Sequence, residues 1–433
     1  MERVYVKEID FLNGKKTTDR ILVKGWIHKI YDVGQISFIQ LRDKTGILQL
    51  VVDKKLREGL RIEMAIEAMG EVALNQKAPK GIELHVKELK VIGKAYYDVL
   101  PFSINNGEVK AHLETQLNHR SISLRSPKIR APFKVQEEIV EAFSVFLKSQ
   151  GFSEIHTPKI IASGTEGGSE MFTVNYFETR AFLAQSPQFY KQMMVGAGFE
   201  RVFEVGHAYR AELHNTWRHL NEYVSLDVEM GFIESEDALM DLEEAFIKFL
   251  FQHLEKTCKE ELKLYGVELN IINKIPRIPL LEAQKLLLDE CGKKSPVGNI
   301  DAEGEVLLSK YIKEKYDSDF VFLTKYPASK RPVYTMADGD LEGMTKSFDL
   351  IYKGLEVTTG GQRIHDYEEL KENMIKFGLR PEDFDFYLEG FKYGMPPHGG
   401  FAIGLERITM KILNLDNIRQ ASLLPRDLKR ITP

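Results

Sequence analysis

Cysteine is nearly absent from this chain: Cys258 and Cys291 are the only two in 433 residues, with no His or Cys near either at metal-ligand spacing. That excludes a disulfide framework, argues against a thiolate zinc site and fits a reducing, cytoplasmic setting. No apolar run approaches the roughly 20 residues needed to cross a bilayer, so no membrane span is expected. The opening MERVYVKEID carries charges throughout and no apolar core, which excludes a signal peptide. Internal repeats and low-complexity segments are also missing. One glycine-rich stretch, YGMPPHGGFAIGLER (Tyr393 to Arg407), has neither the Gly-Lys-Ser/Thr of a P-loop nor the G-x-G-x-x-G of a dinucleotide fold. No Ser-His-Asp arrangement or reactive-cysteine context points to covalent catalysis.

What is present is a globular composition, 43% hydrophobic and 28% charged, in a chain long enough for two to three domains. The net charge is -5, unevenly spread: residues 1–100 hold 18 Lys and Arg against 14 Asp and Glu, a balance of +4, and the remainder is at -9. A basic first part hints at a polyanion partner. That part reads as strands. ILVKGWIHKI alternates, ISFIQLRD and ILQLVVD flank the turn KTG, and EVAL and IELHVKELKVIG bracket NQKAPKG. About five strands in 100 residues suggest a small Greek-key barrel, economically an OB-fold, which binds nucleic acid by stacking bases on exposed aromatics.

Residues 101–130 read as a polar, basic connector. Beyond it, FKVQEEIVEAFSVFLKSQG places Val135, Ile139, Ala142, Phe143, Phe146 and Leu147 on one helical face, with Gly151 at the stop. Pro158 in FSEIHTPKII puts that extended segment at a sheet edge or an interface. Irregularly spaced apolar runs carrying isolated charges then predict a mostly antiparallel sheet with helices on it, and segments 238–257 and 278–316 predict helices outside the sheet. The expected architecture is α+β: a barrel over 1–100, a hinge over 101–130 and a sheet-and-helix domain over 131–433.

The charges on those apolar runs carry the chemistry. AYRAE sets Arg210 and Glu212 at alternate positions of a strand, hence on one face. LDVEMGF does the same with Asp227 and Glu229, and FDLIYKGLEVTTGGQR holds Asp349, Glu356 and Arg363. Charges rarely occupy sheet interiors unless paired or used. A single pair would be a structural salt bridge, whereas several on separate strands, with Arg407, describe a polar cavity. Arginines to neutralise phosphate oxygens and carboxylates to hold Mg²⁺ are what chemistry on ATP requires.

Three ordered blocks resemble the signature motifs of class II aminoacyl-tRNA synthetases: GFSEIHTPKI with Pro158, VFEVGHAYRAELHNTWRHLNEYVSLDVEMGF, and GGFAIGLER. Over essentially the whole chain, from KGWIHKI through SPQFYKQ to PRDLKRITP, the match is to aspartyl-tRNA synthetases of the archaeal/eukaryotic type. The resemblance implies ATP-dependent activation of L-aspartate and its transfer to tRNA, with Mg²⁺ as the metal and a homodimer built on the first motif. It assigns Arg210 to the aspartate carboxylate and the α-phosphate, and Glu212 to the adenine amino group. Arg218, His219 and Leu220 go to the outer phosphates. Gly404, Leu405, Glu406 and Arg407 go to the ATP floor and triphosphate. Glu356 is implied as a ligand of Mg²⁺ and ATP, with Thr359 in place of the family's usual Ser. Glu166 in TEGG corresponds to a contact from a mobile loop, and Asp227 to the α-ammonium partner. Glu229 and Asp349 rank below these, as braces for arginines. Leu424 stands where the family has Phe before PRD.

Gln188 and Lys191 in AQSPQFYKQ follow the aspartyl pattern, and asparaginyl relatives lack that lysine. With Arg363 it supplies two cations for one side-chain carboxylate, so asparagine is expected to leave cations undercompensated. In the barrel, Phe38 is implied as a stacking platform for an anticodon base and Gln49 as a contact to a base edge. Trp26, His28 and Pro79 lie near, and His28 with Pro79 resembles the branch that charges both tRNA-Asp and tRNA-Asn. The alternatives are an asparaginyl-tRNA synthetase, a paralogue making free asparagine, and an RNA-binding relative with a dead site. The intact Arg210, Glu212, Glu356 and Arg407 speak against the last.

Overall fold

The structure is a computed structural model that describes residues 1–9, 20–97, 99–105, 107–164, 170–270 and 272–433. The chain forms two compact units, Met1–Ser126 and Pro127–Pro433.

In the first unit, β1 (Arg20–Val33), β2 (Ile36–Arg42), β3 (Ile47–Asp53), β4 (Ala65–Leu74) and β5 (Ile82–Gly93) close a barrel in the order β1-β2-β3-β5-β4. Strand alternation turns Ile21, Val23, Ile39, Leu41, Leu48, Leu50, Ile66 and Leu84 inward as its core. The register between β1 and β2 slips between Ile27 and Lys29, so His28 is the extra residue of a bulge. Ile27 and His28 are therefore both buried, where strict alternation would expose one. The 101–130 segment is more structured than a polar connector: it holds short helices at Leu113–Asn118 and Arg120–Ser123, and a long helix begins at Pro127. Just before that helix, Arg125 reaches Glu63 at 2.9 Å and lies over the Trp26 ring at 5.6 Å.

In the second unit, eleven more strands are described: β6 (Ser153–Glu154), β7 (Ile160–Ile161), β8 (Thr173–Tyr176), β9 (Thr179–Leu183), β10 (Arg201–Tyr209), β11 (Glu222–Gly231), β12 (Arg277–Pro279), β13 (Phe320–Thr324), β14 (Ser347–Tyr352), β15 (Leu355–Arg363) and β16 (His398–Gly404). Eight of them form one sheet in the order β12-β13-β14-β15-β16-β11-β10-β6, and β7-β9-β8 form a small second sheet. The large sheet is antiparallel except at its two edge pairings, β12 with β13 and β10 with β6. The Pro158 segment leads from edge strand β6 to β7. The 278–316 region opens on the end of β12 and continues into helices Leu280–Cys291 and Ala302–Tyr316.

Helices Pro127–Ser149 and Asp237–Thr257 share the main core with the sheet, with the Phe143 ring edge-on to Phe203 and Phe246 at 5.7 and 5.2 Å. Gly151, at φ 79°, takes the left-handed turn after the first of these helices. Among the described residues no helix is long and apolar enough to cross a membrane.

One carboxyl is caught in this core. Glu243, on helix Asp237–Thr257, is fully buried beside the Thr358 hydroxyl, and burial pushes its carboxyl up to about 8. A raised acid stabilises the fold while protonated, and that contribution is lost as the pH climbs from the unfolded value near 4.5 through 8. Glu243→Met should therefore gain on the native protein between pH 5 and pH 9, by on the order of 3 kcal/mol in denaturant unfolding. An equal gap at both pH values would mean that the buried group does not titrate in this range.

Candidate functional site

The antiparallel register sets the site's floor. Across β14, β15, β16 and β11, Asp349, Thr359, Ala402 and Asp227 lie in one row, with Ser347, Gly361, Gly400 and Glu229 in the next. The middle of each row is small; Asp349 and Asp227 flank the first, and Ser347 and Glu229 the second. A cavity of about 380 Å³ lies here, lined among others by Gln188, Lys191, Arg210, Arg331, Glu356, Arg363 and Arg407.

Most residues expected in the site line this cavity. Arg218, His219, Leu220, Glu212, Asp227, Thr359, Gly404 and Glu406 complete the set. Glu166 lies outside the described residues. Leu405 is absent from the cavity wall and packs into the core. Strand β10 ends at Tyr209, so Arg210 and Glu212 do not share a strand face as expected; they occupy the loop beyond it, their charges 3.9 Å apart. The barrel residues Trp26, His28, Phe38, Gln49 and Pro79 belong to the other unit.

At one end of the cavity the charges are cancelled pairwise. The Lys191 ammonium, 1% exposed, donates to Asp227 at 2.9 Å and stands 3.5 Å from Glu229. Arg363 Nε donates to Glu229 at 3.1 Å, and its Nη2 donates to the Gly400 carbonyl at 3.0 Å. Gln188 donates to Glu229 at 3.3 Å. Burial alone would raise the Glu229 carboxyl, but Arg363 and then Lys191 hold it below the ordinary range. The expectation that asparagine would leave Lys191 and Arg363 undercompensated is thus corrected, because both already face protein carboxylates.

At the other end, Arg407 Nη1 donates to the Glu356 carbonyl at 3.0 Å and to its carboxylate at 3.1 Å. Against the raising effect of burial, the guanidinium of Arg407, then Arg331 and Arg218, lowers the Glu356 carboxyl. Arg218 donates to Glu305 at 2.8 Å, and burial pushes that carboxyl up to about 7 although Arg218 opposes it. His219 is pushed down to about 4, by burial first and then by Arg407 and Arg218, so at neutral pH it is an uncharged hydrogen-bonding group. Glu406, raised to about 8 by burial, accepts from the Val224 N–H at 3.1 Å and secures β11.

Sequence reasoning missed Arg331 and Glu305. Arg331 lies in SKRPVY beside Lys330, with no spacing to mark it, yet its guanidinium stacks on Tyr326 at 3.7 Å and stands 2.9 Å from Asp349. Burial, only partly offset by Arg331, raises the Asp349 carboxyl.

In the barrel, Phe38 is partly exposed and Gln49 donates to Glu83 at 2.9 Å. Pro79 starts a short turn of helix between β4 and β5. His28 is buried, with Nδ1 accepting from Arg42 Nη1 at 2.9 Å, and burial and Arg42 push it down to about 4.

As for a metal, among the described residues no cluster of three or more His, Cys, Asp or Glu could hold one. The Thr359 hydroxyl donates to the Glu356 carboxylate at 3.3 Å, which leaves two oxygen donors on the cavity floor. Mg²⁺ takes few protein oxygens and fills its shell with water and phosphate, so this sparse set fits it as part of a nucleotide complex.

These features have counterparts in known proteins. Residues 112–428 match the model of class II tRNA synthetases (D, K and N), and residues 21–92 match that of the OB-fold nucleic acid binding domain. The chain belongs to the class II tRNA synthetases, enzymes that use ATP and typically a divalent metal. Within that class it belongs with the aspartate–tRNA ligases. It is 47% identical to the aspartate–tRNA(Asp/Asn) ligase of Thermus thermophilus over 100% of both chains, and 45% identical to the aspartate–tRNA(Asp) ligase of Pyrococcus abyssi over 99% of both. Among solved structures, the asparaginyl-tRNA synthetase of Pyrococcus horikoshii with asparaginyl-adenylate superposes with a TM-score of 0.91, at 30% identity and full coverage of both chains. The backbone therefore does not separate aspartate from asparagine; the side chains must.

One backbone position is critical. A Cβ on Gly400 would sit 2.0 Å from the Val228 carbonyl oxygen and 2.2 Å from a Glu229 carboxylate oxygen. Since Val228 cannot swing aside, Gly400→Ala should lower stability by about 2–3 kcal/mol in denaturant unfolding, and a neutral result would show that the floor can give.

Proposed function

We propose that the chain activates L-aspartate with ATP and transfers it to the 3′ end of tRNA-Asp and tRNA-Asn. The observation that carries this reading is the convergence of Lys191, Arg210, Arg363 and Arg407 on one cavity with paired carboxylates between them. Charge counting supports aspartate. At the amino-acid end, Lys191 and Arg363 match Asp227 and Glu229, and Arg210 adds one positive charge, with Glu212 assigned to adenine. L-Aspartate, at -1, brings the count to zero, whereas asparagine leaves +1, carried by the half-exposed Arg210. The charge balance therefore favours aspartate over asparagine, by an amount that solvent around Arg210 reduces.

In this mechanism Asp227 takes the α-ammonium group, with Glu166 as a further contact to the amino acid. Gln188, Lys191 and Arg363 hold the side-chain carboxylate. Arg210 bridges the α-carboxylate and the α-phosphate, and stabilises the charge that grows as the carboxylate attacks and pyrophosphate leaves. Arg218, neutral His219, the Leu220 backbone and Arg407 hold the outer phosphates, and Gly404, at the end of β16, lies under the nucleotide, with Leu405 and Glu406 opening the helix that carries Arg407. Glu356 and Thr359 would hold Mg²⁺, which supplies charge neutralisation on the phosphates when bound. Catalysis is positioning and electrostatic stabilisation, without a protein nucleophile.

The reading includes a homodimer, from the resemblance of the Pro158 segment to the first signature motif, and a cytoplasmic location. In the barrel (1–100), Phe38 and Gln49 read the anticodon with Trp26, His28 and Pro79 beside them. Relatives that carry both names, for Asp alone and for Asp/Asn, make tRNA range the open variable.

The purified protein should support pyrophosphate exchange with aspartate and not asparagine, and should aminoacylate both tRNA-Asp and tRNA-Asn with aspartate. Charging of tRNA-Asp alone would remove the broader range. Lys191→Leu should abolish aspartate-dependent exchange while the protein still melts cooperatively. Near-normal exchange would take Lys191 out of the site.

A further inference from the structure

Helix Ala302–Tyr316 lies outside the three motif blocks, yet it touches two parts of the cavity wall. Its N-terminus is fixed by Asp301, whose carboxylate accepts from the Gly304 N–H at 2.9 Å. One turn in, the Glu305 carboxylate, 5% exposed, receives both terminal nitrogens of Arg218, at 2.8 and 3.4 Å. A turn further on, the Ser309 hydroxyl accepts from the Gly354 N–H at 2.8 Å, in the turn that leads into Glu356. Gly354 sits at φ 76°, and a Cβ there would come within 2.9 Å of the Val306 side chain, so the helix lies directly on this turn.

Arg218 needs such a brace. It comes from the stretch between β10 and β11, where residues 210–221 form no regular strand, and its side chain is long and rotamer-rich. A two-point grip by a buried carboxylate selects one orientation of the guanidinium before any ligand arrives. We infer that Glu305 is a positioning residue that pre-aims Arg218 at the outer phosphates of ATP, so helix Ala302–Tyr316 contributes to nucleotide use without touching the nucleotide. This rests on the synthetase reading above.

The test is aspartate-dependent ATP–pyrophosphate exchange, with KM for ATP and for aspartate measured separately, in the full-length native protein, Glu305→Ala, Glu305→Gln, Arg218→Ala and the Arg218/Glu305 double alanine variant. Glu305→Ala should raise the KM for ATP about tenfold or more, since a misplaced group costs rate steeply, and leave the KM for aspartate unchanged. Glu305→Gln, which keeps one acceptor, should fall between it and the native protein. In the Arg218→Ala background the Glu305 change should add nothing. The inference is overturned if the two effects multiply, if both KM values move together, or if the single variants leave ATP use unaltered. Loss of exchange in the native protein would instead overturn the synthetase reading. Thermal melting of each variant separates an unfolded protein from a misaimed arginine, and Glu305→Gln carries the test if the alanine variant does not fold.

Discussion

Ions removed from water must be neutralised within a few ångströms, and the sheet of the second unit is organised around that requirement. Lys191, Asp227, Glu229 and Arg363 come from one helix and two strands, and each is nearly or wholly inaccessible. None could be buried singly, because an isolated ion in such surroundings would cost several kcal/mol. Together they form a lattice with alternating signs, closed by Gln188 and the Gly400 carbonyl. The same demand recurs toward the other end of the cavity, where Arg407 pairs with Glu356, Arg218 with Glu305 and Arg331 with Asp349. A ligand entering such a cavity meets groups already aimed, and little reorganisation is left for the moment of reaction.

The small residues of β15 and β16 are the complement of these charges. Gly361 and Gly400 face each other across the ladder, and the next row has Thr359 against Ala402. Their lack of bulk makes room for charged side chains to meet above the strands. The cavity is thus bounded below by peptide groups and at its sides by ions.

Much of this was legible in the sequence, for reasons that are local. Alternation in ILVKGWIHKI and ILQLVVD gives the barrel strands, the helical stripe from Val135 to Leu147 gives a helix that packs on the sheet, and charges inside apolar runs mark the cavity. What stayed hidden is what chain geometry decides at a distance. Arg331 and Glu305 sit in stretches that look like ordinary surface, and only packing turns them inward. The pairing of Lys191 with Asp227 cannot be seen in AQSPQFYKQ, because its partner is 36 residues away on another element. Arg210 and Glu212 obey strand spacing and still lie past the strand's end. His28 has the spacing of an exposed strand residue, and a bulge buries it.

A second bulge has a wider consequence. Glu356 and Arg363 are an odd number of residues apart, which in a regular strand would send them to opposite faces. The register of β14 with β15 slips between Leu350 and Ile351, leaving Val357 as the supernumerary residue. That slip restores Glu356 to the side of Thr359 and Arg363. The strand thus behaves as a parity code: substitutions along it alter one group at a time, whereas losing a single residue there would invert an entire half of the strand. Drift in this segment is therefore open to exchange of side chains and closed to changes of length.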